Sequence, residues 1–117
     1  MQTHNAKKLA EGLTALPLSL LNAHADIDHI GSNAEFDAVY MNLAELVNYP
    51  LAKKASDIIP VRDGNSIDLG GRRLEVIEIP GHTPGSIAIL DVARRALFPG
   101  HTVQAGSIFP CGPRRLC

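Results

Sequence analysis

Apolar residues in the first half of the chain recur at spacings that predict short helices and strands. Leucines at helical spacing predict a helix over 5–16, capped by Asn5 and ended by Pro17. The apolar run 18–23 predicts a short buried strand that leads directly into a polar cluster. Beyond that cluster, the pattern predicts a strand at 38–41, a helix at 43–48 capped by Asn42, and a second helix at 51–57.

From Ile58 onward, the apolar and polar positions predict strands separated by turns. The segments 66–69 and 73–79 flank Gly70-Gly71, which predicts a β-hairpin. The remaining strands are predicted at 58–60, 86–90 and 96–98, with turns at 62–65 and 91–95. The sequence is therefore of the α/β class, with a second half built mainly from strands.

Composition and charge narrow the classes of function. At 117 residues and 45% hydrophobic content, the chain is globular and forms one domain at most. Its net charge of -1 and scattered basic pairs exclude the concentrated basic face of a nucleic-acid-binding protein. No apolar run reaches the roughly 18 residues of a membrane span, and the N-terminus lacks a signal-peptide pattern. The expected location is the cytoplasm, where Cys111 and Cys117 would be reduced thiols.

The densest chemistry lies in the segment from His24 to His29, where potential metal ligands follow the strand predicted at 18–23. Alternate side chains of an extended segment point the same way, so His24, Asp26 and Asp28 are expected on one side. His29 would turn in where the chain bends at Gly31. Imidazole and carboxylate together suit zinc and related divalent ions.

Two further histidines lie in loops that follow predicted strands. His82 is flanked by prolines and glycines in the segment 80–86, which makes a stiff loop that fixes the direction of the imidazole. His101 follows an apolar strand and Gly100. Both are therefore candidate ligands alongside the first cluster.

Together these three blocks resemble the metallo-β-lactamase-fold hydrolases. They are His24-Ala-Asp-Ile-Asp-His-Ile-Gly31, Pro80-Gly-His-Thr-Pro-Gly-Ser86 and Phe98-Pro-Gly-His-Thr102. The order and intervals of the blocks match as well, and the resemblance extends from about Leu18 to Arg115. It implies a single domain over 1–117, a partial αβ/βα sandwich with one sheet and flanking helices, incomplete at both ends.

The resemblance also implies a division of the ligands between two metal positions. His24 and His82 match ligands of the first metal, and Asp28 and His29 match ligands of the second. Asp28 is in addition the expected catalytic carboxylate, which would orient the attacking water. The final histidine of the second position is not found before Cys117, so one zinc ion is favoured over two, and other divalent ions also suit the site.

Two departures from the family pattern are reciprocal. Asp26 stands where the family has histidine, and His101 stands where it has a bridging aspartate. A neutral imidazole has one lone pair and cannot bridge two ions as a carboxylate can. The hypothesis is that the two residues exchange roles, so that His24, Asp26, His82 and His101 surround one ion.

The implied reaction is hydrolysis of a small-molecule ester, thioester, amide or phosphoester by metal-bound hydroxide. The sequence leaves open whether this chain is an enzyme. One alternative is a catalytically inactive remnant of such a hydrolase, and another is a non-enzymatic interaction module. Missing strands would leave sheet edges unpaired, which predicts self-association through those edges.

Overall fold

The computed structural model describes residues 6–26, 29–47, 49 and 57–102. Their helices are α1 (Ala6–Leu13) and two short 3-10 helices, Asn33–Glu35 and Leu43–Val47. The strands are β1 (Leu20–Leu21), β2 (Ala38–Met41), β3 (Asp57–Pro60), β4 (Ser66–Asp68), β5 (Arg73–Glu78), β6 (Ile87–Asp91) and β7 (Ala96–Phe98).

The first sheet is parallel and has the order β1-β2-β3. Its central strand places Val39 and Met41 in the interior, where both are fully buried. Parallel strands all end at the same edge of a sheet, so the segment that follows β1 emerges beside the segment that follows β2. This edge receives the chain from His24 onward.

The second sheet is antiparallel, with β4, β5, β6 and β7 paired in chain order. Gly70 and Gly71 connect β4 to β5 with φ values of 82° and 95°, a region that side chains disfavour. Oδ1 of Asp68 accepts the backbone N–H of both glycines. The predicted Gly-Gly hairpin is therefore confirmed, together with the reason for its glycines.

A shared apolar cluster joins the two sheets. Val76, Ile87 and Ile89 from the antiparallel sheet are buried, and Leu21 and Tyr40 from the parallel sheet pack against them. A backbone hydrogen bond of 2.9 Å from Ile87 N–H to the Ala23 carbonyl also links the sheets. The end of β1 is thereby held against the beginning of β6.

Most predicted elements are confirmed, with shifted boundaries. Helix α1 ends at Leu13 instead of 16, and none of its residues is buried, so packing does not favour a longer helix. The helix predicted at 43–48 is a 3-10 helix, and Oδ1 of Asn42 accepts the Ala44 N–H as a cap. The helix predicted at 51–57 lies outside the described residues except for Asp57, which begins β3.

The α/β class is confirmed, but the described strands form two sheets instead of one. The chain passes from the first sheet to the second at the predicted turn 62–65, between β3 and β4. In this turn the Asn65 N–H donates to the Arg62 carbonyl. Within the described ranges, no helix is long and apolar enough to cross a membrane.

Candidate metal centre

Three loops meet at one end of the molecule. The first ligand loop (22–26) follows β1, the second (79–86) joins β5 to β6, and the third (99–102) follows β7. Because β5 and β7 both pair antiparallel with β6, their carboxyl ends lie at the same edge of the sheet. Gly100 approaches the first loop so closely that a Cβ there would lie 3.2 Å from the Cβ of Ala23.

All histidines of the described residues converge where these loops meet. The ring centroids of His24 and His29 are 4.6 Å apart, and those of His24 and His82 are 4.9 Å apart. His101 lies 5.0 Å from His24, 4.6 Å from His29 and 5.1 Å from His82, again between ring centroids. The sequence separates these residues by up to 77 positions, so the fold is responsible for the cluster.

One set of side chains has the spacing of metal ligands. Oδ2 of Asp26 lies 3.2 Å from Nε2 of His82 and 3.8 Å from Nε2 of His24. Two ligand atoms on one tetrahedral zinc ion are about 3.4 Å apart, given Zn–N and Zn–O bonds of about 2.0–2.1 Å. His24, Asp26 and His82 therefore form a triplet that fits a single ion.

The chemistry of the donor atoms supports the same assignment. Nε2 of His24 and Nε2 of His82 are buried, and neither has a hydrogen-bond partner among the described residues. A buried polar nitrogen without a partner costs about 1–3 kcal/mol, so such atoms are rare unless a ligand satisfies them. Both nitrogens face the same carboxylate oxygen, which is the arrangement that a shared cation would satisfy.

The protonation state of His24 suits a ligand. Burial is the main cause that lowers the pKa of His24, and the neighbouring charge of His29 is the next. Together with smaller contributions, and against the opposing effect of Asp26, they bring this pKa to about 4. His82 and His101 lower it as well. The imidazole is neutral at pH 7 and offers its lone pair to a metal without first losing a proton.

A second triplet consists of His24, His29 and His101. His29 and His101 are exposed, whereas His24 is only 5% exposed. The structure thus brings together five of the six metal ligands predicted from the sequence. Asp28, the sixth and the predicted catalytic carboxylate, lies outside the described residues, as do His4, Cys111 and Cys117.

Buried amides fix the ends of the segment that carries the first ligands. Nδ2 of Asn33 donates to Oδ1 of Asn22 at 2.6 Å and to the Tyr49 hydroxyl at 2.9 Å. Nδ2 of Asn22 returns a hydrogen bond to Oδ1 of Asn33 at 3.2 Å. In the second ligand loop, the Thr83 hydroxyl lies 2.7 Å from the Ser86 hydroxyl and braces that loop in a similar way.

One residue of the site has no signal in the sequence. Glu45 is fully buried and accepts backbone N–H groups from both the first and the second ligand loop. A carboxylate in a short helical segment is ordinarily solvated, so helical periodicity alone places Glu45 on the surface. Its role becomes visible only when the two loops are placed against it.

Comparisons with known proteins identify the family of the chain. Residues 17–115 match the family model of the metallo-beta-lactamase superfamily. The chain belongs to the metallo-beta-lactamase superfamily. It is 31% identical to the acyl-coenzyme A thioesterase MBLAC2 of Homo sapiens, over 92% of this chain and 48% of that protein. It is 32% identical to the hydroxyacylglutathione hydrolase of Gloeobacter violaceus, over 92% of this chain and 43% of that protein.

Solved structures place the fold in the same superfamily. TTHA1623 in a di-iron-bound form aligns with a TM-score of 0.74 and 26% identity, over 98% of this chain and 66% of that chain. The B3 metallo-beta-lactamase BLEG-1 aligns with a TM-score of 0.66 and 26% identity, over 87% of this chain and 57% of that chain. The chain spans about half the length of the curated relatives it matches. The family predicted from the sequence motifs is therefore confirmed.

Proposed function

We propose that this metallo-beta-lactamase superfamily chain binds a divalent metal ion, with zinc the first candidate, and acts in the hydrolysis of a small-molecule thioester. The observation that carries the proposal is the pair of buried, unpartnered nitrogens, Nε2 of His24 and Nε2 of His82, that face Oδ2 of Asp26. The names of the relatives favour thioesters among the possible classes of substrate. One is named an acyl-coenzyme A thioesterase and another a hydroxyacylglutathione hydrolase, so both release an acyl group from a thiol carrier.

The ligand geometry favours one ion over two. His24 belongs to both triplets of the described residues. A neutral imidazole has one lone pair, so His24 completes only one triplet at a time. The triplet with Asp26 and His82 has the buried, unpartnered atoms and the only carboxylate, and we assign the ion to it. Iron is a second candidate metal, since the structural neighbour TTHA1623 is in a di-iron-bound form.

The residues around that ion would have different roles in the reaction. When bound, a divalent ion supplies a Lewis acid for a carbonyl group and lowers the pKa of water to about 7. Asp26 contributes the negative charge that balances the cation, and buried His24 remains neutral and fixed in direction. The exposed His29 and His101 lie on the solvent side, where a substrate carbonyl would approach. Asp28 remains our candidate for the group that orients the attacking water.

The test is a zinc titration of the full chain combined with an assay of acyl-coenzyme A hydrolysis. We expect the unsubstituted chain to bind about one equivalent of zinc. We expect His82→Ala to reduce zinc affinity more than tenfold, because the variant removes one of three ligands, and to abolish hydrolysis. His4→Ala is the matched control, since it removes a histidine that belongs to none of the three ligand motifs of the sequence, and it should change neither quantity.

Three results would contradict the proposal, the last of them in its assignment of the ligands. Absence of zinc and iron binding by the unsubstituted chain would favour the inactive remnant. Tight binding with no hydrolysis of acyl-coenzyme A or acylglutathione would favour a metal-binding interaction module. Metal binding that His82→Ala leaves unchanged would move the ion away from the assigned triplet.

A further inference from the structure

Glu45 has an environment that its own segment does not explain. It lies in the 3-10 helix Leu43–Val47, where Leu43, Leu46 and Val47 are exposed and the carboxylate is the buried side chain. Apolar side chains are usually buried and carboxylates exposed, so this segment has the opposite arrangement. Removing a carboxylate from water costs several kcal/mol unless its oxygens are hydrogen-bonded. Whatever contacts Glu45 therefore has to compensate for its burial.

The two oxygens of Glu45 bind different ligand loops. Oε2 accepts the N–H of Ala25 at 2.6 Å, and Ala25 lies between the ligands His24 and Asp26. Oε1 accepts the N–H of Gly85 at 2.7 Å, in the loop that carries His82. These donors are 20 and 40 positions from Glu45 in the sequence. A single side chain thus connects the two loops that supply the metal triplet.

The space around the carboxylate fits this role closely. A Cβ at Gly85 would lie 2.7 Å from Cγ, 2.8 Å from Oε1 and 2.9 Å from the backbone nitrogen of Glu45. Such distances are below those of real Cβ contacts, so any larger residue at 85 would displace Glu45 or the loop. Glycine at this position allows the backbone to approach the carboxylate.

The restraint at Gly85 reaches His82 through the second ligand loop itself. The N–H of Thr83 donates to Oγ of Ser86 at 3.1 Å, and the two hydroxyl oxygens are 2.7 Å apart. The N–H of Gly81 donates to the Thr83 carbonyl at 3.2 Å. The loop is braced on both sides of His82, so its position at Gly85 determines where the imidazole lies.

We propose that Glu45 is a positioning residue that holds the first and second ligand loops at the separation at which His24 and His82 face the same oxygen of Asp26. It acts through the backbone of Ala25 and Gly85 and touches neither the metal nor the substrate. The inference rests on the metal site of the proposed function, and it names the residue that keeps that site assembled.

The sharpest variant is Glu45→Gln. Both carboxylate oxygens accept an N–H, but an amide of the same shape has only one accepting oxygen and would turn its NH₂ toward the other N–H. We expect zinc affinity to fall about 10- to 100-fold, the usual range for groups that support metal ligands. With Co²⁺ as a spectroscopic probe, we expect the ligand-field absorption bands to shift or weaken.

Asp91→Asn is the matched control. Asp91 is also a fully buried carboxylate that accepts a backbone N–H, but it lies at the far end of β6 from the second ligand loop. We expect this variant to lower thermal stability and to leave zinc affinity and the Co²⁺ spectrum unchanged. Gly85→Ala should reproduce the metal phenotype of Glu45→Gln from the other side of the contact, and it serves as the second variant if Glu45→Gln does not fold.

The imidazole resonances of His24 and His82 in the metal-free protein separate this inference from the proposed function. Glu45→Gln should shift both sets of resonances, and Asp91→Asn should shift neither. Unshifted resonances, or zinc affinity equal to that of the unsubstituted chain, would overturn the positioning role. If the unsubstituted chain binds no metal, the proposed function fails, and the same resonances still decide whether Glu45 positions the two histidines.

Discussion

Asp26 is the residue on which the triplet of His24, Asp26 and His82 is centred, because its Oδ2 atom lies 3.2 Å from His82 Nε2 and 3.8 Å from His24 Nε2. The family pattern stated from the sequence has histidine at this position and an aspartate at position 101. The structure groups His101 with His24 and His29, and Asp26 with His24 and His82. The predicted exchange of roles between Asp26 and His101 therefore remains a prediction about one four-ligand site.

Single substitutions can decide how these two residues share the ion. We expect Asp26→Ala to weaken zinc binding more than tenfold, because the variant removes the only anionic ligand of the triplet. His101→Ala should have a smaller effect, since His101 is exposed and belongs to the second triplet. Competition with a chromophoric chelator measures both affinities. Equal losses would place all four residues on one ion, and unchanged affinity in both variants would contradict any exchange of roles.

At the scale of the elements, a buried carboxylate connects two turns of the antiparallel sheet, the turn between β4 and β5 and the turn between β6 and β7. Asp91, the last residue of β6, is fully buried, and its Oδ2 accepts a hydrogen bond of 2.6 Å from Nε of Arg72. Its Oδ1 accepts the backbone N–H of Arg94 at 3.2 Å. Burial raises the pKa of Asp91, but the hydrogen bonds and charges of Arg72 and Arg94 outweigh it and hold the pKa below its usual 3.8.

This lowered pKa predicts a pH dependence with a definite sign. A carboxyl group whose pKa is lower in the folded state contributes stability above its unfolded pKa, and loses that contribution as pH falls through the folded value. We expect the stability advantage of the unsubstituted chain over Asp91→Asn to be constant near neutral pH and to shrink below about pH 3.8. Thermal unfolding of both proteins between about pH 7 and pH 2 would show it. A gap that stays constant to the lowest pH would contradict the pairing with Arg72.

At the scale of the whole molecule, the interior between the sheets holds the ligand loops together. Ile87 is 1% exposed, packs in the cluster that joins the sheets, and donates its N–H to Ala23 in the first ligand loop. Exposed apolar side chains remain on α1, where Leu9 is 66% and Leu13 is 89% exposed. Self-association of this chain remains a prediction, and these exposed leucines are a surface on which to test it.

Truncation of Ile87 measures what this interior contributes. We expect Ile87→Ala to lower the free energy of unfolding by about 2–5 kcal/mol, because the variant leaves a cavity between the sheets. Ile59→Ala is the control, since Ile59 is 38% exposed and should cost less than about 1 kcal/mol. Urea denaturation of the metal-free proteins gives both values. Similar losses in the two variants would contradict the assignment of this cluster as the core.

The sequence alone determined the local elements, the family and the candidate ligands. Strand β2 and the Gly70-Gly71 hairpin follow from spacing and backbone preference, and His24, His82 and His101 follow from short motifs. These signals are local because each depends on neighbouring residues. Tertiary structure alone decided the division into two sheets, the grouping of the ligands into triplets and the burial of Glu45. Each of these depends on contacts between distant segments, such as Glu45 with Gly85 across 40 positions, which periodicity along the chain cannot encode.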